Sequence, residues 1–222
     1  MSLKAEKVKQ QTRPSFDEEK ILWGLGIDYV LGIDEVGRGA FAGPIFAASV
    51  VFPKNFKSSF LREVNDSKLL KARRREYLSE KIKESALFFS ISNVGINLIN
   101  KYGIGYANKM AFRKVIAETI SELKGRHFVL VDGFHVKFIR GIGLKNQKAI
   151  IKGDRKSLSI AAASILAKVE RDKLMRKLSR EYPYYGFGRN KGYGTKKHQE
   201  AIREFGLTKL HRSSFNLSWL GK

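Results

Sequence analysis

The stretch YVLGIDEVGRGAFAGPIFAASVVF, residues 29–52, decides how this chain folds. Its two ends, YVLGIDEVG and PIFAASVVF, are short apolar runs rich in β-branched residues and read as strands. Gly37, Gly39 and Gly43 mark the segment between them as a tight connection. Strands this early, with helical and strand patterns alternating afterwards, indicate an α/β fold with a mixed β-sheet flanked by helices. The first strand delivers Asp34 and Glu35 side by side at its end. Two neighbouring carboxylates repel each other and lose solvation where the chain folds around them, so their placement needs a reason.

Composition narrows the reasons. The 222 residues are 43% apolar and 11% aromatic, enough for one core and against a disordered chain. Lys and Arg number 43 against 21 Asp and Glu, a net charge of +22 that points to a polyanionic partner. A membrane is the lesser alternative, because no apolar run reaches roughly 18 residues and no signal or lipidation motif is present. Without cysteine there are no disulfides, thiol nucleophiles or cysteine-held zinc, which suits a cytoplasmic protein. His127, His135, His198 and His211 are scattered and form no metal-binding pair. Any metal must then be held by oxygen, which favours magnesium or manganese.

Along the chain, residues 1–13 read as a basic flexible tail. PSFDEEKILWGLG reads as a helix opened by a Ser15–Glu18 capping box and closed by Gly26. Residues 70–84 read as a charged helix and ALFFSISNVG as a third strand. Residues 104–123 form an amphipathic helix turning Met110, Val115, Ile116 and Ile120 to the core. HFVLVDG is a buried strand ending in Asp132, and KAIIKGD repeats that form to end in Asp154. Residues 157–180 read as a helix whose small side chains allow close packing. Residues 181–222 form a small helical C-terminal lobe of the same domain, with a helix near 197–205.

GIDEVG, VLVDGF and IIKGDRKS thus share one pattern: an apolar strand with an acid at its C-terminal end. Sites of α/β sheets assemble at such ends, where side chains leave the core and the backbone stays rigid. A single strand-end aspartate is ordinarily a turn former; three converging acids are not so readily explained. Clustered carboxylates ionise together only if cations neutralise them, and two divalent ions roughly 4 Å apart would do so while cleaving a phosphodiester. Asp34 and Glu35 raise one difficulty, since successive strand residues face opposite ways. The expectation is that the strand ends at Gly37 and the longer Glu35 curls round its edge.

GIDEVGRGAFAGP, DSKLL (66–70), VLVDG, KGDRKSLSIAAASILAKVERD (152–172), NKGYGT (190–195) and LHRSSF (210–215) together resemble type 2 ribonuclease H, specifically the bacterial ribonuclease HII family, from about residue 30 to 216. The resemblance implies a ribonuclease-H-like catalytic domain over 14–180 with the 181–222 lobe binding substrate. It places the family's four acids on Asp34, Glu35, Asp132 and Asp154, holding two Mg2+ or Mn2+ ions with Asp34 central. It implies hydrolysis of RNA–DNA hybrids, and of DNA containing single ribonucleotides, on the 5′ side of the ribonucleotide, leaving 3′-hydroxyl and 5′-phosphate ends. Gly37, Arg38 and Gly39 fall on the loop that contacts the ribose 2′-hydroxyl, the atom separating RNA from DNA. Tyr193 falls on the tyrosine that stacks on the next sugar, and Lys68, Lys191 and Arg212 on phosphate-holding positions. For Lys68 the NDSK run also reads as an N-cap for the following helix, and Ser157 and Lys168 are either backbone contacts or supports. The chain departs from the family at Asn190, where many members carry His, and in lacking prolines before His211–Arg212. The chain is expected to be a monomer without a membrane partner; whether a replication clamp docks on the basic tail is left open by the sequence. A purely binding protein suits the charge equally, but acids on a phosphate-binding face would repel its ligand without metal.

Overall fold

The computed structural model describes residues 13–220, so the basic tail expected over 1–13 lies outside the described residues apart from Arg13. Five strands form one mixed sheet in the order β3-β2-β1-β4-β5. Strands β1 (Tyr29–Val36), β2 (Ile45–Val51) and β3 (Phe88–Val94) pair antiparallel. Strands β4 (His127–Asp132) and β5 (Gln147–Ile150) extend the sheet in parallel from the other edge of β1. β1 is therefore central, and its carboxyl end lies beside that of β4.

The two faces of the sheet are covered by different helices. Leu31, Ile33, Val129 and Val131 pack with Ala107, Ala111, Phe112 and Val115 of α3 (Ile96–Glu122). On the opposite face, Val30 and Leu130 meet Ile160 of α4 (Leu158–Glu181), while Phe46, Ala48 and Val50 meet its alanines 161–163. The expected run of small side chains in α4 is what allows this approach. A Cβ at Gly32 of β1 would lie 2.1 Å from the Ser159 carbonyl carbon and 2.3 Å from the Ile160 nitrogen. Strand and helix thus touch backbone to backbone. Helix α2 (Ala72–Ser85) packs on α4 through Leu78 and Ile82. The C-terminal elements, α5 (Phe187–Asn190) and α6 (Lys196–Phe205), build a separate cluster of Tyr185, Phe187, Ala201, Ile202 and Leu210 around Ala42 and Met175. No helix among the described residues is long and apolar enough to cross a membrane.

Several local expectations are corrected. Helix α1 (Asp17–Gly24) has Phe16 at its N-cap and no side-chain cap, so the Ser15–Glu18 capping box does not form. The Ser15 backbone is taken up instead in a bridge to the 156–158 segment, donating to the Lys156 carbonyl at 3.0 Å, and Glu18 pairs with Lys148. The acid that matters in α1 is Glu19, which is fully buried and accepts from the Ser157 hydroxyl at 2.6 Å and the Ser159 amide at 3.0 Å. A carboxylate there complements the N-terminal end of α4. Ser157 is the N-cap of α4, accepting from Ile160 N at 3.2 Å, which makes it a support. The helix expected over 104–123 begins earlier, at Ile96, and is interrupted at Gly103 (φ 80°, ψ 160°), so Ile104 starts its second part. The NDSK run does not cap α2, whose N-cap is Lys71.

The Gly32 contact makes a test of the sheet–helix packing. Gly32→Ala should lower stability by at least ~2 kcal/mol in urea unfolding, because the obstructing atoms are backbone. Gly24→Ala, with nothing within 4 Å of the new carbon, should change it little. An unchanged midpoint for Gly32→Ala would contradict the packing described.

Candidate active site

The parallel pairing of β1 with β4 sets the site. Ile33 pairs with Val131, so the next residues, Asp34 and Asp132, emerge side by side from the carboxyl ends of adjacent strands. Asp34 faces α4, where Ser164 favours its ionised form, and one of its oxygens accepts from the Glu35 amide at 2.7 Å. Glu35 turns to the other face, toward Asn108 of α3. As expected, β1 ends at Val36, immediately before Gly37, and the two acids leave it toward opposite faces. Glu35 nevertheless remains within electrostatic reach of Asp132. The fourth acid is reached differently from the expectation. β5 stops at Ile150, and Asp154 sits on the 3-10 turn Gly153–Arg155. That turn is tied back to β4 by the Gly153 amide, which donates to Asp132 at 2.7 Å.

The four acids share one electrostatic problem. Burial raises the pKa of Asp34 well above the usual carboxylate range, and the charges of Glu35 and Asp132 raise it further. Burial likewise raises Glu35, with Arg38 opposing, and raises Asp132 against the Gly153 hydrogen bond. Asp154 is raised by burial, then by Asp66 and Asp132. An all-oxygen donor set under mutual repulsion fits a hard divalent cation. Among the described residues no three of these side chains form a closed cage for one ion. Magnesium ordinarily takes one or two carboxylates and completes its shell with water and phosphate oxygens, so the donors present fit it.

Two features near the acids escaped the sequence reading. Asp66 of DSKLL is buried, pairs with Arg155 at 2.9 Å and accepts from the Lys68 amide at 3.0 Å. It thereby anchors exposed Lys68, whose charge reaches Glu35, Asp132 and Asp154. Asn108 is a buried polar side chain on the core face of α3; a polar residue at an apolar helical position was the available signal. Lys168 is committed to Asp172 at 2.7 Å and is a support rather than a free cation.

The glycine-rich loop is clamped from beneath. Gly37 has φ +91°, and a Cβ there would lie 2.2 Å from Arg171 Nε. Arg171, fully buried, donates to the carbonyls of Pro44 (3.0 Å), Ala42 (3.2 Å) and Lys191 (2.8 Å). Arg212, also fully buried, donates to the carbonyls of Gly43 and Arg38, each at 2.9 Å. Arg212, expected at a phosphate, is therefore enclosed beneath the loop; burial and the charge of Arg171 lower its pKa to about 9. Lys191 is half-buried with its ammonium turned to the Gly188 carbonyl. Asn190, where the family often has His, accepts from the Gly192 amide at 2.8 Å and shapes the turn. That turn meets the loop directly: Phe41 and Ala42 amides donate to the Gly192 carbonyl at 2.8 and 3.1 Å. Tyr193 is half-buried with its ring 5.5 Å from the Arg171 guanidinium. Arg38 is exposed beside Phe134, and a Cβ at Gly39 would meet nothing within 4 Å.

Comparison with known proteins identifies the family and the fold. The family model described as Ribonuclease HII matches residues 31–219. A Ribonuclease HII of Clostridium beijerinckii is 46% identical over 189 residues, covering 84% of this chain and 67% of that protein. The solved structure of the PCNA:RNase HII complex from Archaeoglobus fulgidus aligns with TM-score 0.69 and 25% identity, over 84% of this chain and 93% of that one. Bst-RNase HIII in complex with Mn2+ aligns with TM-score 0.58 and 18% identity, over 80% of this chain and 63% of that one, a likeness of fold. With a mixed sheet of ribonuclease-H type and the family model spanning most of its length, the chain belongs to the ribonuclease HII family, the type 2 ribonuclease H endonucleases.

Proposed function

We propose that the protein hydrolyses the RNA strand of RNA–DNA hybrids and the phosphodiester on the 5′ side of single ribonucleotides in duplex DNA, using Asp34, Glu35, Asp132 and Asp154 to hold two Mg2+ or Mn2+ ions. The observation that carries this is the meeting of four mutually destabilised acids with the Gly37–Gly39 loop at one end of the sheet. The ions supply Lewis acidity toward the attacking water and the departing 3′ oxygen. The Mn2+ complex of the HIII relative supports such a cofactor. The chain's own residues do the rest. Asp34 and Asp132, bonded to the Glu35 and Gly153 amides, hold their carboxylates in place on the ends of β1 and β4. A water oxygen bonds to phosphorus, the bond from phosphorus to the 3′ oxygen breaks, and that oxygen takes up a proton. The products are a 3′-hydroxyl and a 5′-phosphate.

Substrate choice follows from the loop. Gly37 is glycine for the fold's sake, but Gly39 has no steric reason within the chain, so its open side suits a close approach of the ribose 2′-hydroxyl. Arg38 and Lys68 stand exposed near the acids and suit flanking phosphates. Tyr193, backed by Arg171, presents a ring for the next sugar. The net charge of +22 serves the whole duplex backbone. The PCNA complex of the Archaeoglobus relative supports a sliding clamp as a further partner.

A DNA duplex bearing one ribonucleotide tests the reading. With magnesium the protein should cut once, on the 5′ side of that nucleotide; with chelator it should not cut. Asp132→Asn should lose cleavage by at least ~100-fold while still binding the duplex. Cleavage by that variant at the wild-type rate would contradict the assignment. Tyr193→Ala should impair cleavage at the single ribonucleotide more than within a long hybrid, and equal losses on the two substrates would remove its junction role.

A further inference from the structure

We propose that the buried pair His198 and His211 is a positioning device for Tyr193, a chain of hydrogen bonds that holds the sugar-reading turn only while each ring keeps one tautomer. This rests on the reading of Tyr193 as the residue facing the substrate sugar.

The tautomers follow from the partners. His198 is fully buried and His211 nearly so, and their Nε2 atoms lie 3.1 Å apart, so one must donate and the other accept. The Thr208 backbone amide points at His211 Nδ1 at 2.9 Å. An amide N–H can only donate, so His211 Nδ1 carries no proton and its Nε2 does. His211 Nε2–H therefore donates to His198 Nε2. The proton of His198 then sits on Nδ1, which lies 2.9 Å from the Tyr193 carbonyl and donates to it. The same carbonyl accepts from the Thr195 amide at 2.8 Å, so both its acceptor positions are used. One ordered path runs from Thr208 through two imidazoles to the backbone of Tyr193.

The surroundings favour the neutral pair. His198 lies on α6, edge-on to Phe187 at 5.4 Å and tilted 6.2 Å from Phe41. Tyr185 lies 5.1 Å from His211. Beside the pair, Arg212 follows His211 in the chain and Arg171 backs Tyr193. Burial lowers both imidazoles, His211 to about 4 with repulsion from His198 adding to the effect. A second proton on either ring would set N–H against N–H at the shared contact or at Thr208. A hydrophobic pair would fill the same space; what the histidines add is a directed bond to the carbonyl of Tyr193 itself. The bridge between Ala42 and His211 couples that turn to the glycine-rich loop.

Two measurements decide the matter. In protein labelled with 15N at histidine, His211 should show a protonated Nε2 and bare Nδ1, and His198 the reverse, both unchanged from pH 8 to pH 6. The same tautomer on both rings, or a charged ring at pH 7, would overturn the proposal. In kinetics on the single-ribonucleotide duplex, His198→Phe should lower kcat/KM on the order of tenfold, the consequence of one lost buried hydrogen bond. His198→Asn, whose amide nitrogen occupies the Nδ1 position, should recover most of it. In a Tyr193→Ala background His198→Phe should cost less than about twofold. A full tenfold loss there would show that the pair does not act through Tyr193. A silent Tyr193→Ala would sink the substrate reading and the proposal with it, whereas wrong tautomers or additive losses would sink the proposal alone. Should His198→Phe not fold, His198→Gln, whose amide reaches one bond too far for Tyr193, takes its place in the same cycle.

Discussion

The structure depends on like charges brought together where they are least stable. Asp34 is buried beside Glu35 and Asp132, and each raises its resistance to ionising. A fold optimised for stability alone would carry amides or apolar side chains there. The parallel register of β1 on β4 places the first two aspartates together, the β1 end turns Glu35 to the α3 face, and the Gly153 turn returns Asp154. Three elements thus converge to gather acids whose ionisation burial and mutual repulsion oppose.

The glycine-rich loop beside the acids is organised by the opposite device, buried cations without carboxylate partners. Among the described residues neither Arg171 nor Arg212 makes a salt bridge; the hydrogen bonds they form go to carbonyls of the 38–44 loop and of Lys191, and the Arg212 Nη2 has no hydrogen-bond partner. Carbonyl dipoles stabilise a guanidinium less fully than a carboxylate, so the charges keep their outward field while fixing the loop. The glycine-rich loop and the Tyr193 turn become one rigid surface, with the C-terminal cluster beneath it. Because the acids stand on the sheet and the loop stands on the arginines, the two halves of the site are held by different interactions.

Much of this was legible from the chain. Period and composition located β1, β2, β3 and β4, and the strand-end rule located Asp34 and Asp132, because these depend on local pattern. Asp154 was found as an acid but placed on a strand, since a four-residue β5 followed by a left-handed Lys152 leaves no distinct pattern. The capping box failed because a tertiary bridge from Ser15 to the 156–158 segment outcompeted a local cap. Arg212 reads as surface charge in any composition-based view; its burial depends on carbonyls more than 160 residues away, which no local signal announces. Asn108, Ser164 and the two histidines were hidden for the same reason: their partners come from other elements.

Thermal unfolding of wild type and Asp34→Asn, in chelator and in saturating magnesium, tests the central claim most directly. If repulsion among the acids is what the ions relieve, Asp34→Asn melts higher than wild type in chelator, by ~2–6 °C for a chain of this size. Magnesium then raises the wild-type midpoint and moves that of Asp34→Asn much less. A wild-type midpoint indifferent to magnesium, or an Asp34→Asn variant that melts lower in chelator, would contradict the account.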